Sequence, residues 1–311
     1  MRAPRAGAPE ACFGPGGGAR MNRRRFLFIA AAAVFSGAAR AEITTWQADM
    51  LGGTVRVDLR GPRGLAQDVA GRIGAAITEV EAAASLFRSH SALSRLNAAG
   101  RLDDPPPALL DLLRLSGHIH GMTDGRFDPT VQPLWRALAE GRDPTAARAS
   151  IGWARVQIGP PVRLGEGQAL TFNGIAQGYA ADRVRHLLRE AGYGQALVEM
   201  GEFAALGGPF SVSIEDPALG EIAIRRLAGN AIATSSPSAM RIGSGFHILG
   251  PHGEAPCWST ISVEAKDAAL ADGLSTAFCL MPADEIRAAL RRSRTVMRVT
   301  AVDLAGDVST F

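Results

Sequence analysis

The chain has 311 residues, 47% hydrophobic and 20% charged, with 36 Gly and 18 Pro, which supports a sizeable core and excludes a disordered chain, a collagen and a coiled coil. Its formal charge of +3 is uneven, because residues 1–41 hold seven Arg against Glu10 and leave 26 basic and 29 acidic residues beyond them. The remainder lacks the basic footprint of a nucleic-acid binder, and Cys12, Cys257 and Cys279 are too few for a disulfide framework or a metal cluster.

The N-terminal segment reads as a leader. Asn22-Arg23-Arg24-Arg25-Phe26-Leu27 resembles a twin-arginine export signal, and an apolar stretch follows over residues 26–39. That stretch is shorter than the roughly 20 apolar residues that span a bilayer. It ends in Ala39-Arg40-Ala41, a small-x-small cleavage site. Met21 reads as the true start, and residues 42–311 as one exported, periplasmic domain. An uncleaved anchor is the alternative.

Beyond the leader, residues 54–59 alternate with period two and predict a strand. Val69, Ile73, Ile77 and Val80 recur at helical spacing and predict a helix over 65–87. Pro105-Pro106-Pro107 precedes a second helix over 108–122, and a loop-rich stretch runs to about 167. A third helix covers 179–191 and stops at Gly192. Short strands are expected at 196–200, 210–214, 221–227, 231–234, 246–249 and 260–263. Helices at 267–280 and 283–292 precede a last strand at 297–302. Helices first and strands later, without βαβ alternation, predict an α+β fold.

Nucleotide-binding motifs are absent. The single lysine, Lys266, follows no glycine-rich loop, and no strand–GxGxxG–helix unit occurs. Asp272 and Thr276 stand four apart and share a helix face. Their hard oxygens suit Mg²⁺, although a local cap and a back-bonded threonine would leave the same pattern. Asn173-Gly174-Ile175-Ala176-Gln177-Gly178-Tyr179 reads as a small-residue loop opening a helix, which suits an anion or an ordinary tight turn. His247 follows Gly243-Ser244-Gly245 at a strand–loop edge, where a histidine serves as a general base or as a satisfied structural residue.

Taken in order, six motifs resemble the ApbE family of FAD:protein FMN transferases. They are residues 87–97, Asp124-Gly125-Arg126-Phe127-Asp128-Pro129-Thr130-Val131, residues 173–182, Ala233-Thr234-Ser235, His247-Ile248-Leu249-Gly250-Pro251, and Ala271-Asp272-Gly273-Leu274-Ser275-Thr276-Ala277. The Asn173-Gly174-Ile175-Ala176-Gln177-Gly178-Tyr179 version of the third motif, with Glu202 after Gly201, is similar to an exported proteobacterial branch. The resemblance implies a single T-fold-related domain with a mixed or antiparallel sheet and flanking helices. It implies Mg²⁺-dependent transfer of FMN from FAD to a Thr or Ser of a periplasmic or membrane-associated flavoprotein, with release of AMP. Carried over by position, Asp272, Thr276, Ser275 and the Ala176 carbonyl would hold the metal. Phe87, Arg126, Phe127 and Asp128 would line the flavin site, Asn173 and Tyr179 would flank the phosphates, and Thr234 and Ser235 the nucleotide. His247 would be the active-site base. Gly250 stands where the family carries Asp. An FAD pyrophosphatase and a non-catalytic flavin-binding accessory protein are the competing functions.

Replacing Arg23 and Arg24 by Lys is expected to leave the protein in the cytoplasm, as read by fractionation. Normal export of that variant would remove the twin-arginine reading.

Overall fold

The computed structural model describes residues 42–61, 64–243 and 245–311, and the expected leader over residues 1–41 lies outside them. Eight strands build the main sheet: β1 Ile43–Met50, β2 Gly53–Arg60, β3 Ala196–Glu199, β4 Phe203–Leu206, β5 Ala231–Ser235, β6 Trp258–Ala265, β7 Val296–Asp303 and β8 Val308–Thr310. They lie side by side in chain order, each antiparallel to the next. The expected mixed or antiparallel sheet is therefore wholly antiparallel among the described residues. Helices and further hairpins are carried in the connections of this meander.

Among the described residues eight α-helices accompany it: α1 Gln67–Ala84, α2 Ala92–Ala99, α3 Pro107–Met122, α4 Gln132–Ala139, α5 Thr145–Ala149, α6 Ala176–Glu190, α7 Ala268–Phe278 and α8 Ala283–Arg291. The apolar stripe of α1 is buried as its spacing predicts. Period-two alternation sends neighbours in a strand to opposite faces. In β3, Ala196 and Val198 join Val69, Ile73 and Ile77 of α1, whereas Leu197 joins Phe210, Val212 and Ile214 of a hairpin, Phe210–Asp216 with Gly220–Leu227. A larger core gathers Leu109, Leu112 and Leu113 of α3 with Leu274 and Phe278 of α7 and Ile261 and Val263 of β6. Each fully buried leucine there contributes about 1.5–3 kcal/mol relative to exposure.

Several elements were not legible as such. Strand β1 is an edge strand with only one half-buried face, which dilutes its apolar signal. Helix α2 starts at a Ser91 cap that accepts the Ser94 amide, and ends at Gly100 in the left-handed region. The stretch to 167, expected as loop, holds α4 and α5. The strand expected at 246–249 is reduced to Gly245–Phe246 paired with Arg241–Ile242. His247, Ile248 and Leu249 leave that short ladder and line a cavity instead.

Helices α6 and α7 pack closely. A Cβ on Gly178 would collide with the backbone of Ala268 and Ala269. Asp267 makes no side-chain cap for α7, so α6 supplies one: Asp182 accepts the amides of Ala268 and Ala269 at 3.0 and 2.9 Å. A carboxylate there satisfies orphan donors and opposes the positive end of the helix. Arg185 links Asp182 to Asp267.

In an ordinary helix interior Gly→Ala stabilises by up to about 1 kcal/mol. Gly178→Ala is expected to do the reverse and destabilise by about 1–3 kcal/mol through overpacking. A thermal melt of the variant decides the sign.

Candidate active site

A cavity of about 250 Å³ opens where the β3–β4 turn, the end of β5, the start of α6, the middle of α7 and the 239–249 loop converge. Asp272 and Thr276, one turn apart on α7, both face it, as their spacing requires. Asp272 is buried, and its Oδ2 accepts the Gly178 amide at 3.1 Å. Gly174 packs directly on Thr276, so the 173–177 loop approaches α7 as only a residue without a side chain allows.

Glu202 sits on the same wall, in the β3–β4 turn, and accepts the Thr234 amide at 3.2 Å. The two carboxyls are raised together. Burial lifts Asp272 to about 7 against one favourable amide bond. Burial and the charge of Asp272 push Glu202 well above the ordinary carboxylate range. Asp128 and Glu215 add further acid to the lining, and Arg126 is the single Arg or Lys on it among the described residues. Arg126 is already bound to Glu254 at 2.5 Å and Glu285 at 3.0 Å. An unneutralised acidic cavity suits a cation. Among the described residues no three His, Cys, Asp or Glu are grouped to hold a metal. Its donors would therefore include hydroxyl and carbonyl oxygens, the hard set that suits Mg²⁺ rather than Zn²⁺.

His247 lines the cavity with its Nδ1 at 3.2 Å from the Pro237 carbonyl and 3.1 Å from that of Met240. Carbonyls only accept, so Nδ1 carries the proton and Nε2 keeps its lone pair. Burial lowers the imidazole pKa, against the pull of those two carbonyls. The ring is therefore held neutral, in the tautomer of a proton acceptor.

Arg126, Phe127, Asp128, Asn173, Thr234 and Ser235 line this cavity too. Asp128 is oriented by Thr130, whose amide and hydroxyl donate to its Oδ1 at 2.8 and 2.6 Å. Thr234 donates to Ser262 at 3.0 Å. Four expected site residues lie elsewhere. Phe87, 60% exposed, and Ala176 line a second cavity, which adjoins the first through Asn173 and Gln177. Ser275 is fully buried beneath the wall, donating to the Asp272 carbonyl at 2.9 Å and meeting the Ser235 hydroxyl at 2.7 Å. Tyr179 lines neither cavity and donates its hydroxyl to Asp111 at 3.1 Å. Sequence reasoning missed Glu215 and Ser213, which the 210–227 hairpin brings over the cavity, and gave Glu202 no role in the site. Its place after Gly201, in the turn that closes the expected strand 196–200, was the signal for Glu202.

The ApbE family model matches residues 44–300. The chain belongs to the ApbE family. A FAD:protein FMN transferase of Salmonella typhimurium is 26% identical, over 67% of this chain and 69% of the relative. The apo flavinyl transferase ApbE of Pseudomonas stutzeri superposes with a TM-score of 0.74 at 26% identity, covering 87% of this chain and 94% of the other. The flavin transferase ApbE of Vibrio cholerae, at 22% identity, shares the fold with a TM-score of 0.76 over 88% of this chain and 97% of its own. The antiparallel main sheet with flanking helices is thus the ApbE architecture, and the cavity is the candidate active site of an ApbE protein.

Protons compete with a cation for Asp272 and Glu202. Asp272, raised to about 7, is protonated below that pH and free above it, so Mg²⁺ is expected to raise the melting temperature more at about pH 8 than at about pH 6. Asp272→Asn should abolish that difference. A Mg²⁺ shift independent of pH, or unchanged in the variant, would place the cation elsewhere.

Proposed function

We propose that this ApbE protein is a periplasmic, Mg²⁺-dependent FAD:protein FMN transferase, which moves FMN from FAD to a Thr or Ser of a flavoprotein acceptor and releases AMP. The observation that carries the reading is the pairing, in one cavity, of a neutral His247 with a free Nε2 and the buried, cation-demanding pair Asp272–Glu202. Family membership and the names of the relatives support it.

A pyrophosphate brings negative charge into a lining that already holds four acids and one neutralised arginine. Asp272 and Thr276 would hold Mg²⁺, with Glu202 adding charge to the same wall. The ion would screen the pyrophosphate and stabilise the departing AMP phosphate. His247 acts on the acceptor. Its Nε2 takes the hydroxyl proton while the hydroxyl oxygen bonds to the FMN phosphorus and the bond from that phosphorus to the AMP oxygen breaks. The Pro237 and Met240 carbonyls keep the proton on Nδ1 and stabilise the imidazolium that forms. Phe127 and Asp128 supply apolar and polar contacts for a flat heteroaromatic ring, and Asn173 stands at the junction of the two cavities.

The test incubates the protein with FAD, Mg²⁺ and a candidate acceptor domain and weighs the acceptor. A gain of one FMN is expected. Free FMN and AMP without that gain would make it an FAD pyrophosphatase. His247→Ala should bind FAD and slow transfer by about 10²–10⁴-fold. Because burial depresses the His247 pKa, the wild-type rate at Mg²⁺ concentrations that keep Asp272 ionised should hold as pH falls through about 6.5 and decline only below it. A decline centred above 7 would assign the base to another group.

A further inference from the structure

Glu254 does not line either cavity, yet it ties the loop that follows His247 to Arg126, and His247 and Arg126 both line the first. After His247, Ile248 and Leu249 the chain turns back through Gly250–Gly253, closed by the Gly253 amide on the Gly250 carbonyl at 3.1 Å. Glu254 Oε2 accepts the His252 amide at 2.9 Å inside that turn, and Oε1 takes Nη1 of Arg126 at 2.5 Å. Arg126 in turn donates to Glu285 of α8 at 3.0 Å. The Glu254 side chain lies against Gly250: a Cβ built there would collide with its Oε2 and stand 2.8 Å from its Cβ. Gly250 has no positive φ, so the glycine serves space and not backbone conformation.

We propose that Glu254 is a positioning residue for the transfer reaction, its carboxylate occupying the side-chain space of Gly250 to clamp the His247 loop to Arg126. The inference rests on the proposed transferase activity. The chemistry requires a carboxylate, because one oxygen must satisfy a backbone amide while the other pairs with a guanidinium. The clamp has two effects. It sets the start and end of the 247–254 loop relative to the cavity wall, on which the reach of His247 Nε2 depends. It also neutralises Arg126 in place, leaving the cavity's charge to its acids and whatever cation they hold. Small displacements of a catalytic group cost up to about 10²-fold in rate.

The same geometry supplies the test. Glu254→Ala removes the carboxyl beside Gly250, and adding Gly250→Asp puts a carboxylate back from the other side of the turn, with a small shift of the turn away from the Cβ and backbone N of residue 254, each 2.8 Å from the new Cβ. Expected for E254A is a kcat about 10-fold lower with the FAD KM within about threefold, since Glu285 still holds Arg126. The double variant G250D/E254A should recover kcat to within about threefold of wild type. The Nδ1–H resonance of His247, read by NMR without turnover, should move in E254A and return in the double variant, at melting temperatures that show both to be folded. An E254A protein with wild-type kcat and an unmoved His247 resonance overturns the clamp. So does a double variant that recovers neither. If the wild type transfers no FMN, the transferase reading fails by itself, and the resonance alone still decides whether Glu254 positions His247.

Discussion

The amide of Gly178 donates to Asp272 across a helix contact too close for any side chain, and much of the site is arranged around that bond. It brings the first turn of α6, and the 173–177 loop that leads into it, against the middle of α7. Asp182, one turn further along α6, caps α7 with its carboxylate and fixes the axial register of the two helices. Asp272 and Thr276 therefore meet the cavity at a set height, and Gly174 can rest on Thr276. A bulkier residue at 178 would separate the helices and carry the carboxylate away from its amide and from Glu202.

Charge is the second constraint. A folded protein rarely buries two acids side by side without a cationic partner, because each loses hydration and repels the other. Here the one arginine on the wall is held by Glu254 and Glu285 and leaves Asp272 and Glu202 uncompensated. The cost is tolerable in a site that takes up a divalent cation together with an anionic substrate. The neutral His247 fits the same economy: its proton is parked on Nδ1 by two carbonyls, so it adds no positive charge until it accepts one.

The meander explains how such a site can be assembled from distant segments. In a sheet whose strands follow chain order, alternate connections emerge at the same end. The β3–β4 turn with Glu202, the end of β5 with Thr234 and Ser235, and the loop between β5 and β6 with His247 share one end of the sheet. The hairpin between β4 and β5 leaves from the opposite end and folds back along the sheet. It covers Leu197, Phe203 and Ile232 and delivers Ser213 and Glu215 to the cavity.

Local periodicity carried a good deal of this. The helical stripe of α1, the shared face of Asp272 and Thr276, the small-residue loop opening α6 and the α+β class all follow from spacing over a few residues, and six ordered motifs carried the resemblance to the ApbE family. Other features depend on packing between segments far apart in the chain. The partnership of Glu202 with Asp272 joins a hairpin turn to a helix 70 residues away. The tautomer of His247 depends on which carbonyls the 237–240 turn presents. Tyr179 and Ser275 sit in motifs yet lie outside the cavity lining, their hydroxyls meeting Asp111 and Ser235. Gly250 reads in the sequence as a missing carboxylate, and only the fold shows the Glu254 side chain lying in that space. Spacing along one element sets which side chains share a face, whereas the neighbour that meets that face is chosen by close packing and by the need to satisfy every buried charge and hydrogen-bonding group.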